Sequence, residues 1–293
     1  MKKCKSITGL SKIIDSYDLY ILDQWGVMHD GKQGYTNAQK FVNELFKMNK
    51  KIIIISNSSK RKKETVTRLP KLGFNPACFD EVMTSGEMIW QSLKKKNYNI
   101  TKRLKKNCFH IHDNSNKEGA KFVSGLDGYN FVNKIEDADF ILGCTPINSF
   151  NTIDYLPLLI EAKNRKMPFV CANPDYETIE NKSNKLSICM GTIAKLYKDL
   201  GGEVFILGKP SLEIYKEATK KINKINKEKI LAIGDSIFHD IQGAYSFNID
   251  SLLITSGIHK SSFTKNRPVW ESKKNQIKNL GIFPTFLCSE LKI

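Results

Sequence analysis

The chain has 293 residues, which exceeds one typical compact domain and suits two domains, or one domain that carries an insertion. Apolar residues make up 41% and charged residues 26%, with 16 Phe, 10 Tyr and 3 Trp, so disordered and fibrous classes are excluded. The 46 Lys plus Arg exceed the 30 Asp plus Glu and give a formal net charge of +16.

This positive charge raises the question of nucleic-acid binding, because clustered basic residues bind phosphate backbones. Short basic runs occur at residues 60–63 and 94–96, but aromatic residues do not alternate with them as a single-strand platform requires. The other basic residues are spread over most of the predicted helices, which is typical of solvated faces. We therefore expect no nucleic-acid partner and favour a small anionic substrate.

The cysteines and the apolar segments indicate a soluble protein of the cytoplasm. Seven Cys is an odd number and no CxxC pair occurs, so we expect neither a disulfide framework nor a zinc site, and a reducing compartment. Residues 1–18 lack the apolar stretch of a secretory signal. No segment approaches the roughly twenty apolar residues of a membrane span, so we expect no membrane association.

The first predicted elements alternate strand and helix, with strands at 19–22 and 52–55 and helices at 37–48 and 60–72. The first strand stops at Asp23 and is followed by a glycine-containing loop. The second strand consists of four Ile and stops at the polar residues 56–59. Apolar runs of this kind between helices are typical of parallel strands that are buried on both faces.

The same alternation returns later in the chain, with strands at 203–207, 230–233 and 251–254, a helix at 211–224 and another through Tyr245. The middle of the chain contains further strands at 108–112, 140–142 and 169–171, with helices between them. Alternating β and α elements with right-handed crossovers predict an α/β fold with an open, doubly wound parallel sheet. We expect a core of residues 1–85 plus 203–293, and an inserted second α/β domain at 86–202.

Polar residues stand where three of the predicted strands end: Asp23, Ser56 and Asp235. Ligands of open α/β sheets bind at that edge, and Lys209 begins a helix that could reach it. Taken singly, each residue also fits a turn or a helix cap. Two carboxylates at one place repel unless a cation lies between them, and a hard ion such as Mg²⁺ would meet that need.

Four ordered motifs resemble those of the haloacid dehalogenase superfamily. They are DQWGV at 23–27, Ser56-Asn57, GKP at 208–210 and GDSIFHD at 234–240. The long insertion between the second and third motifs, with ANPD at 172–175, is similar to the class IIA branch, which includes p-nitrophenylphosphatase-like and pyridoxal phosphatase-like proteins. The resemblance covers about residues 7–259 and implies a Rossmann-like core with a C2-type cap.

What the resemblance implies is a Mg²⁺-dependent phosphohydrolase that acts on a small phosphorylated metabolite through an aspartyl-phosphate on Asp23. Ser56 and Lys209 would hold the phosphoryl oxygens, together with Asn57. The expected metal ligands are Asp23, the backbone carbonyl of Trp25, and Asp235, with Asp240 positioning either a metal-bound water or Lys209.

The insertion is expected to act as a cap that excludes water and selects the substrate. Asn173 and Asp175 match the specificity segment of such caps by position, although an Asn-Pro-Asp turn explains them equally well. The cap could also mediate a homodimer.

Trp25 departs from the family pattern, because most phosphatases of the superfamily carry a second Asp two residues after the nucleophile. That Asp protonates the leaving oxygen and then activates water. Tryptophan transfers no proton, and losing a positioned acid/base costs on the order of 10²–10⁴ in rate. A branch of class IIA proteins resembles this sequence in having Trp there, followed by Gly-Val and His-Asp-Gly, as in residues 26–31.

Three explanations of Trp25 remain open. His29 or Asp30 in the adjacent loop could take over the acid/base role, although both also fit a plain turn before Gly31. The substrate could be an activated phosphate, such as an acyl or enol phosphate, that needs little protonation and could also serve phosphotransfer. The chain could also bind a phosphorylated metabolite without useful turnover.

Two rival motifs are set aside. Residues 202–209 miss the phosphate-binding P-loop pattern, because the glycine spacing is one residue too long and Pro210 stands where Ser or Thr must hold Mg²⁺. His110 and His112 lie on one face of a predicted strand, but no third metal ligand is evident, and we interpret them as the end of a cap strand.

Overall fold

The computed structural model describes residues 4–115, 118–180, 185–222, 226–258 and 281–293. The chain divides into two compact units. The first unit comprises Met1–Ser56, Lys63–Met83 and Lys209–Ile293, and the second comprises Asn57–Lys62 and Thr84–Gly208.

Most of the strand pairs in the described residues are parallel. In chain order the strands are β1 Lys5–Ser6, β2 Leu19–Leu22, β3 Lys51–Ser56, β4 Glu81–Thr84, β5 Asn107–Ile111, β6 Asn130–Val132, β7 Phe140–Gly143, β8 Phe169–Cys171, β9 Glu177–Glu180, β10 Lys185–Ile188, β11 Val204–Ile206, β12 Ile230–Gly234, β13 Asp250–Ile254 and β14 Phe286–Cys288.

The α-helices of the described residues are α1 Thr36–Lys47, α2 Lys62–Arg68, α3 Ser85–Lys95, α4 Asn99–Arg103, α5 Glu118–Val123, α6 Leu156–Asn164, α7 Met190–Asp199, α8 Leu212–Thr219 and α9 Gln242–Phe247. Side chains cap two of them, since the hydroxyls of Thr84 and Ser211 accept backbone N–H bonds from Glu87 and Glu213. Helix α8 ends at Thr219, before the predicted end at Lys224, and Lys224 lies outside the described residues. No helix within the described ranges is long and apolar enough to cross a bilayer.

A seven-stranded sheet in the order β1-β14-β13-β12-β2-β3-β4 forms within the described residues. Strand β2 pairs in parallel with β3 on one side and with β12 on the other. Every residue of β2 and β12 is buried, which is typical of central strands in a parallel sheet. The doubly wound α/β fold predicted from the sequence is confirmed.

A second, five-stranded sheet has the order β11-β8-β7-β5-β6, with parallel pairing throughout. Strand β11 therefore pairs with β8, with Val204 opposite Phe169. The predicted boundary at 202–203 places this strand in the core, whereas the structure groups it with the second unit. Residues 57–62 also belong to the second unit.

The basic run at residues 60–63 makes local contacts within the second unit. The Arg61 guanidinium lies 3.6 Å from the centre of the Trp90 ring, and its Nε donates to Glu87 Oε2 at 2.7 Å. Lys60 pairs with Glu118. Both side chains are therefore engaged in packing and ion pairing of this unit.

Candidate active site

The sheet order places β12, β2 and β3 side by side, and these are the strands that end at predicted site residues. From β2 the chain winds outward through β3 and β4 in one direction, and through β12, β13 and β14 in the other. The switch point between β2 and β12 is where open α/β sheets bind ligands, at the carboxyl ends of the strands. Asp23 follows β2, Asp235 follows β12, and Ser56 is the last residue of the adjacent strand β3.

The backbone fixes Asp23 at this edge. Its N–H donates to the carbonyl of Ile233 in β12, with an N···O distance of 2.9 Å. This bond extends the β2–β12 ladder by one residue beyond Leu22. The Asp23 side chain therefore emerges at the switch point itself, and Ser56 ends the next strand with only 6% of its surface exposed.

Lys209 joins two carboxylates of the site. Its Nζ donates to Asp23 Oδ1 and to Asp240 Oδ1, both at 2.6 Å, and only 3% of the residue is exposed. A buried ammonium is stable only when it is paired and hydrogen-bonded, and these two contacts provide that. The structure thus brings together three of the residues singled out in the sequence.

Asp23, Asp235 and Asp240 form a cluster in which one carboxylate oxygen of each lies within 4.8 Å of the others. Burial, followed by the charges of Asp23 and Asp240, raises the pKa of Asp235 well above its usual range. The single positive charge of Lys209 does not balance three carboxylates. An all-oxygen, net negative donor set of this kind fits a hard divalent cation.

Backbone groups orient the two later carboxylates. The N–H of Ile258 donates to Asp235 Oδ2 at 2.7 Å, and the N–H of Ser236 donates to Asp240 Oδ2 at 3.0 Å. Asp240 lies in a π-helical turn, Ile237–Ile241, an uncommon geometry that often occurs at functional sites. A backbone N–H therefore fixes one oxygen of each of these two carboxylates.

Gly26 and Gly257 leave the space that Asp235 occupies. A Cβ placed on either glycine would come within 2.1 Å of Asp235 Oδ2. Gly26 also has φ of +77°, which glycine adopts without strain. Gly26, the residue after Trp25, thus lies against the Asp235 carboxylate.

The Trp25 side chain is 38% exposed, and its ring is in edge contact with His29, with ring centres 5.7 Å apart. A Cβ on Gly31 would lie 2.1 Å from Trp25 Cη2, so the indole packs directly on that glycine. Arg68 donates to the Gly31 carbonyl. The indole is therefore fixed to the loop that follows Asp23.

The structure weighs against His29 and Asp30 as substitute acids. His29 is buried and its Nδ1 accepts the N–H of Gly31 at 3.0 Å, and burial followed by the charge of Arg68 lowers its pKa to about 4. Asp30 Oδ1 accepts the N–H groups of Lys32 and Gln33 at 2.8 and 2.9 Å. Burial raises the pKa of Asp30, but these hydrogen bonds outweigh it, and the net shift is downward. Both residues stabilise the turn, as the structural interpretation of this segment predicts.

Asn57, Asn173 and Asp175 come together within the second unit. Asn57 Nδ2 donates to Asp175 Oδ1 at 2.8 Å, and the N–H of Asp175 donates to Asn173 Oδ1 at 3.1 Å. The second of these bonds is the Asn-Pro-Asp turn that the sequence allows.

Sequence reasoning missed the backbone contributors to the site, above all Ile258 and Gly257. They follow β13, the strand that pairs with β12. A backbone N–H has no side-chain signature, so the sequence offers only a weak signal there, a glycine shortly after a buried strand.

A family model described as haloacid dehalogenase-like hydrolase matches residues 20–123, and a second, described as HAD-hydrolase-like, matches residues 206–277. These two segments carry all four motifs of the site. The chain is therefore similar to the haloacid dehalogenase-like hydrolases in both of these segments.

Two known proteins are similar to this chain over nearly its full length. A 4-nitrophenylphosphatase of Schizosaccharomyces pombe is 26% identical over 290 residues, which cover 92% of this chain and 94% of that protein. A haloacid dehalogenase-like hydrolase from Brucella suis has a TM-score of 0.81 at 27% identity, covering 97% of this chain and 99% of that one.

A glycerol phosphate phosphatase from Mycobacterium tuberculosis, solved in complex with magnesium, has the same fold. Its TM-score is 0.62 at 19% identity, covering 91% of this chain and 74% of that one. The class IIA resemblance and the prediction of a hydrolase of the phosphatase type are confirmed.

Proposed function

We propose that this haloacid dehalogenase-like hydrolase is a Mg²⁺-dependent phosphohydrolase that acts on a small phosphorylated metabolite with Asp23 as the nucleophile. The observation that carries the proposal is the cluster of Asp23, Asp235 and Asp240 around Lys209 at the switch point of the sheet. A carboxylate nucleophile, a buried ammonium and a divalent cation are the groups that transfer of a dianionic phosphoryl group requires.

The chemistry divides into two displacements. A carboxylate oxygen of Asp23 attacks phosphorus, the bond from phosphorus to the leaving oxygen breaks, and an aspartyl-phosphate remains. Water then attacks this phosphoryl group and releases inorganic phosphate and the free Asp23 carboxylate. Lys209 offsets the repulsion between Asp23 and the incoming dianion, and the Ser56 hydroxyl donates a hydrogen bond to a phosphoryl oxygen.

Asp23, Asp235 and Asp240 are the side chains that would hold or orient Mg²⁺, beside the carbonyl of Trp25. When bound, the ion supplies Lewis-acid stabilisation of the negative charge that develops on the phosphoryl oxygens. Binding of Mg²⁺ is favoured because the ion would relieve the repulsion between Asp235 and the neighbouring carboxylates.

The presence of Trp25 in place of an acid supports a substrate with a good leaving group, such as an acyl or enol phosphate. The side chains of His29 and Asp30 are used within the loop, so no acid of this segment is poised to protonate the leaving oxygen. A leaving group of low basicity departs without that proton. Phosphotransfer from such activated esters, and slow or non-catalytic binding of a phosphometabolite, are the alternative functions.

We also propose that the enzyme works in the cytoplasm. All seven cysteines are free thiols, six of them buried, and a reducing compartment suits such a chain.

The central test is a phosphate-release assay with acetyl phosphate, 4-nitrophenyl phosphate and glycerol phosphate, with Mg²⁺ or with EDTA. We expect Mg²⁺-dependent hydrolysis that Asp23→Asn reduces by on the order of 10⁴-fold or more, because the nucleophile is lost. Asp15→Asn, an exposed aspartate of the same unit, is the control. Mg²⁺-dependent binding of phosphate without turnover of any substrate would support the non-catalytic alternative instead.

A second test concerns the missing acid. Trp25→Asp is expected to raise hydrolysis of glycerol phosphate by up to about 10²-fold, and to change that of acetyl phosphate little, because only the alkoxide leaving group needs a proton. Trp25→Asn loses the same packing on Gly31 without gaining an acid. Equal rates in the two variants would show that protonation does not limit turnover.

A further inference from the structure

The chain passes between the two units directly beside two of the proposed phosphate-binding residues. Ser56 is the last residue of its stretch in the first unit and Asn57 the first of the next stretch in the second. Gly208 ends the second unit and Lys209 resumes the first. Whatever fixes Asn57 or Gly208 therefore acts on Ser56 or Lys209 through a single peptide bond.

Asn57 is held by the loop of residues 173–175. It is 1% exposed, and its Nδ2 donates to Asp175 Oδ1 at 2.8 Å. Asp175 is itself fixed through its backbone, since its N–H donates to Asn173 Oδ1 at 3.1 Å and its carbonyl accepts the N–H of Gly191 at 3.0 Å. The carboxylate therefore reaches Asn57 from a rigid support.

Gly208 is packed against the same loop. A Cβ placed on it would lie 2.6 Å from Asn57 Oδ1, 2.7 Å from Ser85 Oγ and 2.8 Å from Pro174 Cγ. On the other side of the loop, a Cβ on Gly191 would lie 2.1 Å from the Pro174 carbonyl oxygen. The loop is thus tightly packed against two glycines of the second unit, and one of them, Gly208, directly precedes Lys209.

We propose that the loop 173–175 is a positioning element, in which Asp175 acts through Asn57 on Ser56, and Pro174 acts through Gly208 on Lys209. This rests on the proposed function and differs from the role in substrate contact that the sequence suggests for Asp175. An ionised carboxylate is an acceptor only, and would repel a phosphoryl group, whereas the Asn57 amide is a donor that it satisfies.

The test compares Asp175→Ala with Asp175→Asn, which keeps an oxygen acceptor for Asn57. The kcat and KM are measured for acetyl phosphate and 4-nitrophenyl phosphate, and binding of inorganic phosphate with Mg²⁺ is measured by calorimetry. Asp175→Ala is expected to lower kcat by about 10- to 100-fold, since small misplacements of catalytic groups have effects of this size. The factor should be the same for both substrates, with weaker phosphate binding, whereas Asp175→Asn should keep most of the activity.

Asn57→Ala should cost about as much as Asp175→Ala, and the double variant little more, because the two residues act as one unit. Asp127→Ala, whose side chain is 86% exposed in the same unit, is the matched control. Should Asp175→Ala fail to fold, Asn57→Ala and Asp175→Asn carry the same comparison.

Losses that differ between the two substrates, with unchanged phosphate binding, would place Asp175 on the leaving group and overturn the proposal. Equal losses in Asp175→Asn and Asp175→Ala would overturn it too. The phosphate-binding measurement does not need turnover, so it tests the positioning role even if the wild-type chain proves not to hydrolyse these esters.

Discussion

Both larger sheets of this chain place polar residues at the carboxyl ends of their strands. In one sheet a group of these residues is charged, whereas in the other a buried pair is neutral. At the carboxyl edge of the seven-stranded sheet lie three carboxylates and an ammonium. At that edge of the five-stranded sheet, His110 Nε2 lies 3.3 Å from Cys144 Sγ. Burial, followed by the neighbouring His112, lowers the pKa of His110 to about 3, and burial raises the pKa of Cys144.

The His110–Cys144 pair therefore consists of a neutral imidazole and a neutral thiol and carries no net charge. Within the described residues, the three aspartates form the one cluster of His, Cys, Asp and Glu whose donor atoms are close enough to hold a metal. The difference shows that topology provides the edge, whereas an unbalanced charge provides the need for a ligand.

Lys209→Met should have the largest effect, because it removes the cation that joins Asp23 and Asp240 at the carboxyl edge of the seven-stranded sheet, here called the charged edge. We expect kcat to fall by about 10²–10³, as for loss of a group that stabilises transition-state charge. The metal-free protein should also lose about 3–5 kcal/mol of unfolding free energy, since the buried Asp240 and the partly buried Asp23 remain without their partner. Both are measured by phosphate release and urea unfolding.

The control for this variant is Lys216→Met, an exposed lysine of α8 whose side chain is 58% accessible. Normal turnover in Lys209→Met would contradict the role given to the charged edge.

Asp235→Asn should have an intermediate effect, which depends on metal. Relief of repulsion should stabilise the metal-free protein, because the buried Asp235 is disfavoured as an anion. Mg²⁺ at about 100 times its Kd should stabilise the wild type by about 2.7 kcal/mol and the variant much less. Thermal unfolding with and without Mg²⁺ measures this. An equal shift in both proteins would mean that the ion binds elsewhere.

His110→Asn should have the smallest effect, on pH dependence alone. The folded-state pKa of His110, about 3, lies below the unfolded value near 6.5, so the folded state binds fewer protons. The stability contributed is then present above pH 6.5 and is lost as the pH falls below it. Between pH 7 and pH 5 the wild type should lose on the order of 1 kcal/mol more unfolding free energy than the variant. Parallel pH profiles in urea unfolding would refute a neutral His110.

The strands of the charged edge are predictable from the sequence, because buried parallel strands read as continuous apolar runs that end abruptly. Strand β2 has the predicted bounds, 19–22, and Asp23 and Asp235 lie at the predicted edge. Their order along the chain, together with Lys209, carried the family resemblance.

The pairing of β11 was not predictable, because its partner residues in β8 are 35 positions away and the sequence of a short apolar strand does not indicate which sheet it joins. The Asn57–Asp175 bond joins residues that are 118 positions apart, and an Asn-Pro-Asp turn reads the same with or without it. Backbone donors such as the N–H of Ile258 leave no trace in residue type at all.

The closeness of Gly257 to Asp235 Oδ2 means that the enzyme can be silenced without altering a single charge. An added methyl at this position would push the Asp235 carboxylate aside without removing any acidic or basic side chain from the protein. Such a variant would separate the steric requirements of the proposed ion coordination from its electrostatics, which substitutions of the aspartates themselves always change together.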